Sequence, residues 1–184
     1  MVQRLDFAVL YALQKLHGPV LDKVMAFITH LGDGGYVWIA AGVLLLLCSK
    51  KYRKQGAAVL IGLLLGTLVG NGIVKNLVAR PRPCWLDPTV ALLVKAPKSF
   101  SFPSGHTLSS VIAAAVLWRT DRRIGWPAVI LAALIGLSRL YLFVHFPTDV
   151  LGAAVLGIPL ALAAQFAVEQ SAALWQKRGG FKKK

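Results

Sequence analysis

The chain has 184 residues, enough for one domain, of which 57% are hydrophobic and only 15% charged, with a mean hydropathy of +0.64. That composition excludes an ordinary soluble globular protein and points to an integral membrane protein. The formal charge of +14 lies in clusters beside apolar segments; membrane topology and anionic lipid headgroups account for such clusters, so nucleic acid is not expected as a partner.

In chain order the apolar segments fall at 5–32, 35–49, 56–78, 104–118, 124–143 and 148–170. A hydrocarbon core of roughly 30 Å takes about 20 helical residues, so the second and fourth segments are short. The first contains Gly18-Pro19, followed by Asp22 and Lys23. It reads either as one kinked span or as an interfacial helix over 1–17 followed by a short span. Lipid cannot satisfy open backbone groups, so the spans are expected to be helices. The expected fold is therefore all-α, a polytopic membrane bundle of about six transmembrane helices. Basic clusters follow the second, fourth and sixth segments: Lys50 to Lys54, Arg119 with Arg122 and Arg123, and Lys177-Arg178 through Lys184. The positive-inside rule puts all three in the cytoplasm, which makes both termini cytoplasmic. Cys48 and Cys84 then lie near opposite faces, too far apart for a disulfide. The first apolar run carries no clear small-residue cleavage site, so no cleavable signal peptide is expected.

In this topology Lys75, Arg82, Ser104, His106, Arg139, His145 and Asp149 all come to the outer face, from four separate pieces of chain. Each has an ordinary explanation on its own. A Lys or Arg at the end of a span snorkels to the headgroups, Ser104 is a good helix N-cap, and Asp149 four residues after His145 can simply satisfy an imidazole. Together they form a set suited to a phosphoryl group. Its oxygens take guanidinium forks, a Lys point charge and the free N–H groups of a helix N-terminus, which Gly105 lets the backbone approach. His145 oriented by Asp149 fits a nucleophile, and His106 fits a general acid. The seven acidic residues are scattered and unpaired, so neither a metal nor another cofactor is expected.

Three stretches carry a resemblance. Residues 75–83 read KNLVARPRP, 103–106 read PSGH, and 138–149 match SRxxxxxHxxxD. This set resembles the type 2 phosphatidic acid phosphatase (PAP2) family of integral membrane lipid phosphatases, which shares its site with vanadium haloperoxidases and glucose-6-phosphatase. The resemblance implies a single phosphatase domain over 1–184 that works without metal through a phosphohistidine. His145 would attack phosphorus, oriented by Asp149. Lys75, Arg82, Ser104, Gly105 and Arg139 would hold the equatorial oxygens, and His106 would protonate the leaving group.

Within that family the layout is similar to bacterial undecaprenyl-diphosphate and phosphatidylglycerophosphate phosphatases. The expected partners are a lipid phosphate substrate and membrane lipids, in a bacterial cytoplasmic membrane with the active site at the extracytoplasmic face. Rival functions are a vanadate-dependent oxidant enzyme and a lipid-phosphate binding or transport protein without turnover. Arg80 is an extra cation to which no role is assigned. LGDGG at 31–35 reads as a Gly-rich hairpin with Asp33 as a turn residue, in preference to a substrate contact. Lys95 and Lys98 sit in the external loop.

Overall fold

A computed structural model describes residues 2–179. Its elements in order are α1 (Val2–Gln14), α2 (Pro19–Leu31), a 3-10 turn (Asp33–Gly35), α3 (Tyr36–Cys48), α4 (Arg53–Leu65), a π-helical stretch (Gly66–Val74), α5 (Lys75–Val78), α6 (Pro83–Leu86), α7 (Gly105–Thr120), α8 (Arg122–Tyr141) and α9 (Pro147–Gly179). No strand occurs among the described residues, so the all-α class holds.

The breaks have local causes. Pro19 occupies the first turn of α2, where its missing N–H costs nothing. Gly34 and Gly35, at φ 57° and 70°, turn the chain between α2 and α3, which meet at 43°. Ala79, at φ 46°, stops α5. The side chains of Ser104 and Asp121 accept backbone N–H bonds from Thr107 and Arg123, capping α7 and α8.

Helix α7 is the hub. Its Leu108, Ile112, Val116 and Leu117 are buried against Val59 and Leu63 of α4, Ala132 and Ile135 of α8, and Ala153 and Ala161 of α9. Gly62, Gly66 and Gly70 recur every fourth residue facing Ile112 and Leu108, which would crowd any Cβ placed there. Small residues at this spacing bring helices close enough for van der Waals packing, which holds bundles together where lipid removes the hydrophobic drive. Enclosure also explains the length of α7. Its 16 residues rise about 24 Å, and a helix surrounded by protein need not match the bilayer.

A second cluster sits at one end of the bundle. Leu10 of α1, Met25 of α2 and the loop residues Leu142, Phe143, Val144 and Phe146 are buried together. Phe7 of α1 meets the Phe146 ring edge-on at 5.1 Å. At the other end Tyr52 donates to Asp121 at 2.7 Å and Lys51 lies 3.8 Å from the same carboxylate. The clusters at 50–54 and 119–123 therefore share one end, and Lys182, Lys183 and Lys184 of the third lie outside the described residues.

Of the two readings of the first segment, the structure follows the one that divides it at Gly18-Pro19, and α3 coincides with the second segment. Gly18-Pro19 separates α1 from α2, and α2 with α3 forms one bent unit. Helix α1 rises only about 20 Å, too short to cross, and its polar side chains bond to the end that holds the second cluster. Tyr11 donates to Asp87 at 2.7 Å and Gln14 to the Tyr141 carbonyl at 2.9 Å. Among the described residues three helices are long and apolar enough by themselves to cross a membrane, or four if the bent pair is one span.

Candidate active site

A cavity of about 1060 Å³ opens where α2, α4, α5, α7 and α8 converge, and Lys75, Arg82, Gly105, His106, Arg139 and His145 all line it. Ser104 and Asp149, both fully buried, stand immediately behind that wall. The eight residues singled out from the motifs are thus brought together.

His145 lies on the loop between α8 and α9, in a turn that Phe143 makes at φ 58°. Burying so large a side chain in the left-handed region costs energy, and the aromatic packing of Phe7 and Tyr11 on Phe143 offsets it. The imidazole is 2% exposed. Its Nδ1 lies 3.5 Å from Asp149 Oδ2. Its Nε2 lies 3.0 Å from Arg82 Nη1, and a guanidinium only donates. The lone pair is therefore on Nε2 and the proton on Nδ1, toward Asp149 and the Ser101 hydroxyl, whose oxygen lies 3.4 Å away. Burial pushes this imidazole well below its ordinary range despite the opposing hydrogen bond to Asp149, and Arg82 and Arg139 push it further down. It is a neutral base with its lone pair aimed at the cavity.

Asp149 is held from all sides. Oδ2 accepts from the Ser101 hydroxyl and from the Phe146 N–H at 2.8 Å. Oδ1 accepts from Arg80 Nη1 at 2.7 Å. Arg80 reaches on through Nη2 to Asp6 of α1, also at 2.7 Å, and lies over the Phe146 ring. Asp6 in turn accepts from the backbone and hydroxyl of Thr148. The first helix is thereby tied to the carboxylate behind His145.

The cations differ in what they have left to give. Every N–H of Arg82 is engaged: Nε on the Ser99 carbonyl, Nη1 on the Val144 carbonyl and His145, Nη2 on the Ser99 hydroxyl and Phe100 carbonyl. It laces two loops together and faces the cavity only through its bond to His145. Arg139, by contrast, spends Nη1 on Thr29, and its buried Nε has no partner among the described residues. Lys75 Nζ makes one long bond of 3.3 Å, to the Phe100 carbonyl. The first N–H groups of α7 face the same space, where a Cβ on Gly105 would come within 3.0 Å of Asn71 Oδ1. Buried like charges this close repel unless an anion joins them. The donor set suits a tetrahedral oxyanion, and the carboxylate behind His145 is itself fully bonded.

His106 Nε2 lies 2.8 Å from Asp33 Oδ1, and Asp33 Oδ2 lies 2.7 Å from His30 Nδ1. The turn reading of LGDGG describes its backbone but misses its carboxylate, which reaches the site. Asp6, Thr29, Asn71, Arg80 and Ser101 were also missed as contributors. Only Arg80, flanking the first motif, carried a local signal.

The sequence pattern of the PAP2 superfamily matches residues 55–171. The chain is 36% identical over 143 residues to the undecaprenyl-diphosphatase BcrC of Bacillus subtilis, an alignment covering 77% of this chain and 72% of that one. Among solved structures it is similar to LpxE of Aquifex aeolicus, with a TM-score of 0.76 and 28% identity over 87% of this chain and 94% of that one. It is also similar to the transmembrane PAP2-type phosphatidylglycerolphosphate phosphatase of Bacillus subtilis, with a TM-score of 0.71 and 31% identity over 92% and 87% of the two chains.

Proposed function

The chain belongs to the PAP2 superfamily and is a phosphoric ester hydrolase of the membrane; from that premise we propose that it removes the terminal phosphate of undecaprenyl diphosphate through a phosphohistidine, without a metal. The observation that carries this reading is the polarity of His145, with Nδ1–H toward Asp149 and the Nε2 lone pair toward the cavity. A phosphoryl group entering the cage takes over the Arg82 N–H that Nε2 now accepts, which frees the lone pair for in-line attack. Arg139, Lys75 and the N-terminus of α7, with Ser104 and Gly105, hold the equatorial oxygens as charge builds on them. His106 hands a proton to the departing oxygen. Phosphatidylglycerophosphate and phosphatidate are the alternative substrates, supported by the likeness to the Bacillus subtilis phosphatase.

In this reading the site end of the bundle faces outward from a bacterial cytoplasmic membrane, because the basic clusters at 50–54 and 119–123 occupy the opposite end. Five passes then cross: the α2–α3 pair, the continuous run from α4 to α5, α7, α8 and α9. Helix α1 rests in the outer interface.

The test is phosphate release from undecaprenyl diphosphate by purified protein in EDTA, with His145→Ala beside it. Turnover in EDTA that disappears in the variant is the expected result. Turnover that survives His145→Ala overturns the mechanism, and lipid bound without phosphate release favours a binding protein.

A further inference from the structure

Among the residues outside the family motifs, Asp33 makes a direct polar contact to His106. Asp33 begins the 3-10 turn whose left-handed Gly34 and Gly35 aim it back at α7. The approach is close: a Cβ on Gly32 would come within 2.8 Å of His106 Cδ2 and 2.9 Å of Ile135 Cγ2. The turn thus walls one side of the imidazole and places a carboxylate oxygen 2.8 Å from its Nε2. Arg139, Arg82 and Lys75, all cationic, line the same cavity as His106. These cations disfavour a protonated His106, and the Asp33 carboxylate bonded to the ring is the group that opposes them.

We propose that Asp33 is a positioning residue that fixes the tautomer and charge of His106, with His30 holding the far oxygen of the carboxylate. This rests on the phosphohistidine reading given above and deepens it. With Nε2–H donated to Asp33, only Nδ1 is left to exchange protons with substrate. In the first step the His145 Nε2–P bond forms and the P–O bond to the leaving group breaks. The Nδ1 proton of the His106 imidazolium goes to the departing oxygen, leaving a neutral ring. In the second step that Nδ1 takes a proton from water, whose oxygen bonds to phosphorus as the P–N bond breaks. Inorganic phosphate leaves, and both histidines return to their starting states.

The two halves make different demands, and that gives the test. A nitrophenolate departs without needing a proton, whereas the alkoxide of phosphatidate needs one. Asp33→Asn and Asp33→Glu are compared with the wild type on p-nitrophenyl phosphate and on phosphatidate. For Asp33→Asn, kcat/KM on p-nitrophenyl phosphate is expected to stay within about threefold, while kcat falls and a stoichiometric burst of nitrophenolate precedes slow turnover. On phosphatidate kcat/KM is expected to fall about a hundredfold, the low end of what a positioned acid supplies. Asp33→Glu is expected to recover part of that loss. Equal loss of kcat/KM on both substrates marks a merely structural role and overturns the proposal, as does the absence of any effect. A wild-type protein that releases phosphate from neither ester nor from undecaprenyl diphosphate overturns the phosphatase reading itself, which is a separate failure.

Discussion

Removing the Asp6 carboxylate tests whether α1 belongs to the catalytic apparatus. Asp6 is 3% exposed and accepts from Arg80 Nη2 at 2.7 Å, Thr148 Oγ1 at 2.6 Å and the Thr148 N–H at 3.1 Å. In Asp6→Ala the N–H in the first turn of α9 loses its partner and Arg80 keeps Asp149 and the Thr148 hydroxyl. Breaking a buried ion pair by deleting one partner costs about 3–5 kcal/mol. Arg80 retains a second carboxylate and its side chain is 21% exposed, so the lower end, about 3 kcal/mol, applies. At about 2–4 °C per kcal/mol for a chain of this size, Tm in detergent falls by roughly 6–12 °C. Below the new Tm, turnover falls about tenfold through kcat with KM little changed, because the lost contact orients Asp149 and leaves the oxyanion donors intact. Tryptophan fluorescence on heating and phosphate release on the same samples measure both. A Tm within about 1 °C of wild type together with full turnover refutes the reasoning. The double variant Asp6→Ala with Arg80→Met adds a check, since contacting residues couple by about 0.5–3 kcal/mol and the double loss is expected to be smaller than the sum.

The two arginines are expected to fail differently. Arg82→Lys cannot span the loops that the guanidinium laces, so it lowers Tm as well as activity, whereas Arg139→Lys lowers affinity for orthovanadate about tenfold or more with little change in Tm; identical behaviour of the two would contradict the hydrogen-bond inventory. Stability should also depend on pH through His145. Its folded imidazole is held well below the ordinary value, so below about 6.5 the unfolded chain binds a proton that the folded chain refuses. Stability present at neutral pH is therefore lost on acidification, and His145→Gln should flatten the fall in Tm between pH 7.5 and 5.5.

The residues that touch the cavity were legible where chemistry fixes residue type over a short stretch. Lys75 and Arg82 flank one helix end, Ser104 to His106 begin another, and Arg139, His145 and Asp149 bracket a single loop. Their mutual approach follows from the alternating direction of apolar segments, which composition displays. The supporting residues follow no such rule. Asp6 and Thr148 are 142 positions apart, and neither stretch hints at the other. Asp33 looked like turn chemistry because it is turn chemistry, and nothing within LGDGG reports that His106 lies opposite. The placement of α1 was hidden for a related reason. Thirteen amphipathic residues satisfy a span and an interface about equally in composition, and only the partners of Asp6, Tyr11 and Gln14 decide. The length of α7 was misleading in the other direction, since a helix enclosed by protein escapes the thickness rule that made it look too short.

The cavity has one wall unlike the rest. Away from the cationic end it is lined by Ile39 of α3 and by Leu60 and Leu64 of α4, of which Ile39 and Leu64 are 39% and 58% exposed. An acyl or prenyl chain seated there would never leave the hydrocarbon while its phosphate is in the cage. Velocity then answers to the mole fraction of substrate in the leaflet, not to its molarity in the sample. Adding inert detergent or phospholipid at fixed total substrate should slow the reaction by surface dilution, as other lipids compete for the same groove.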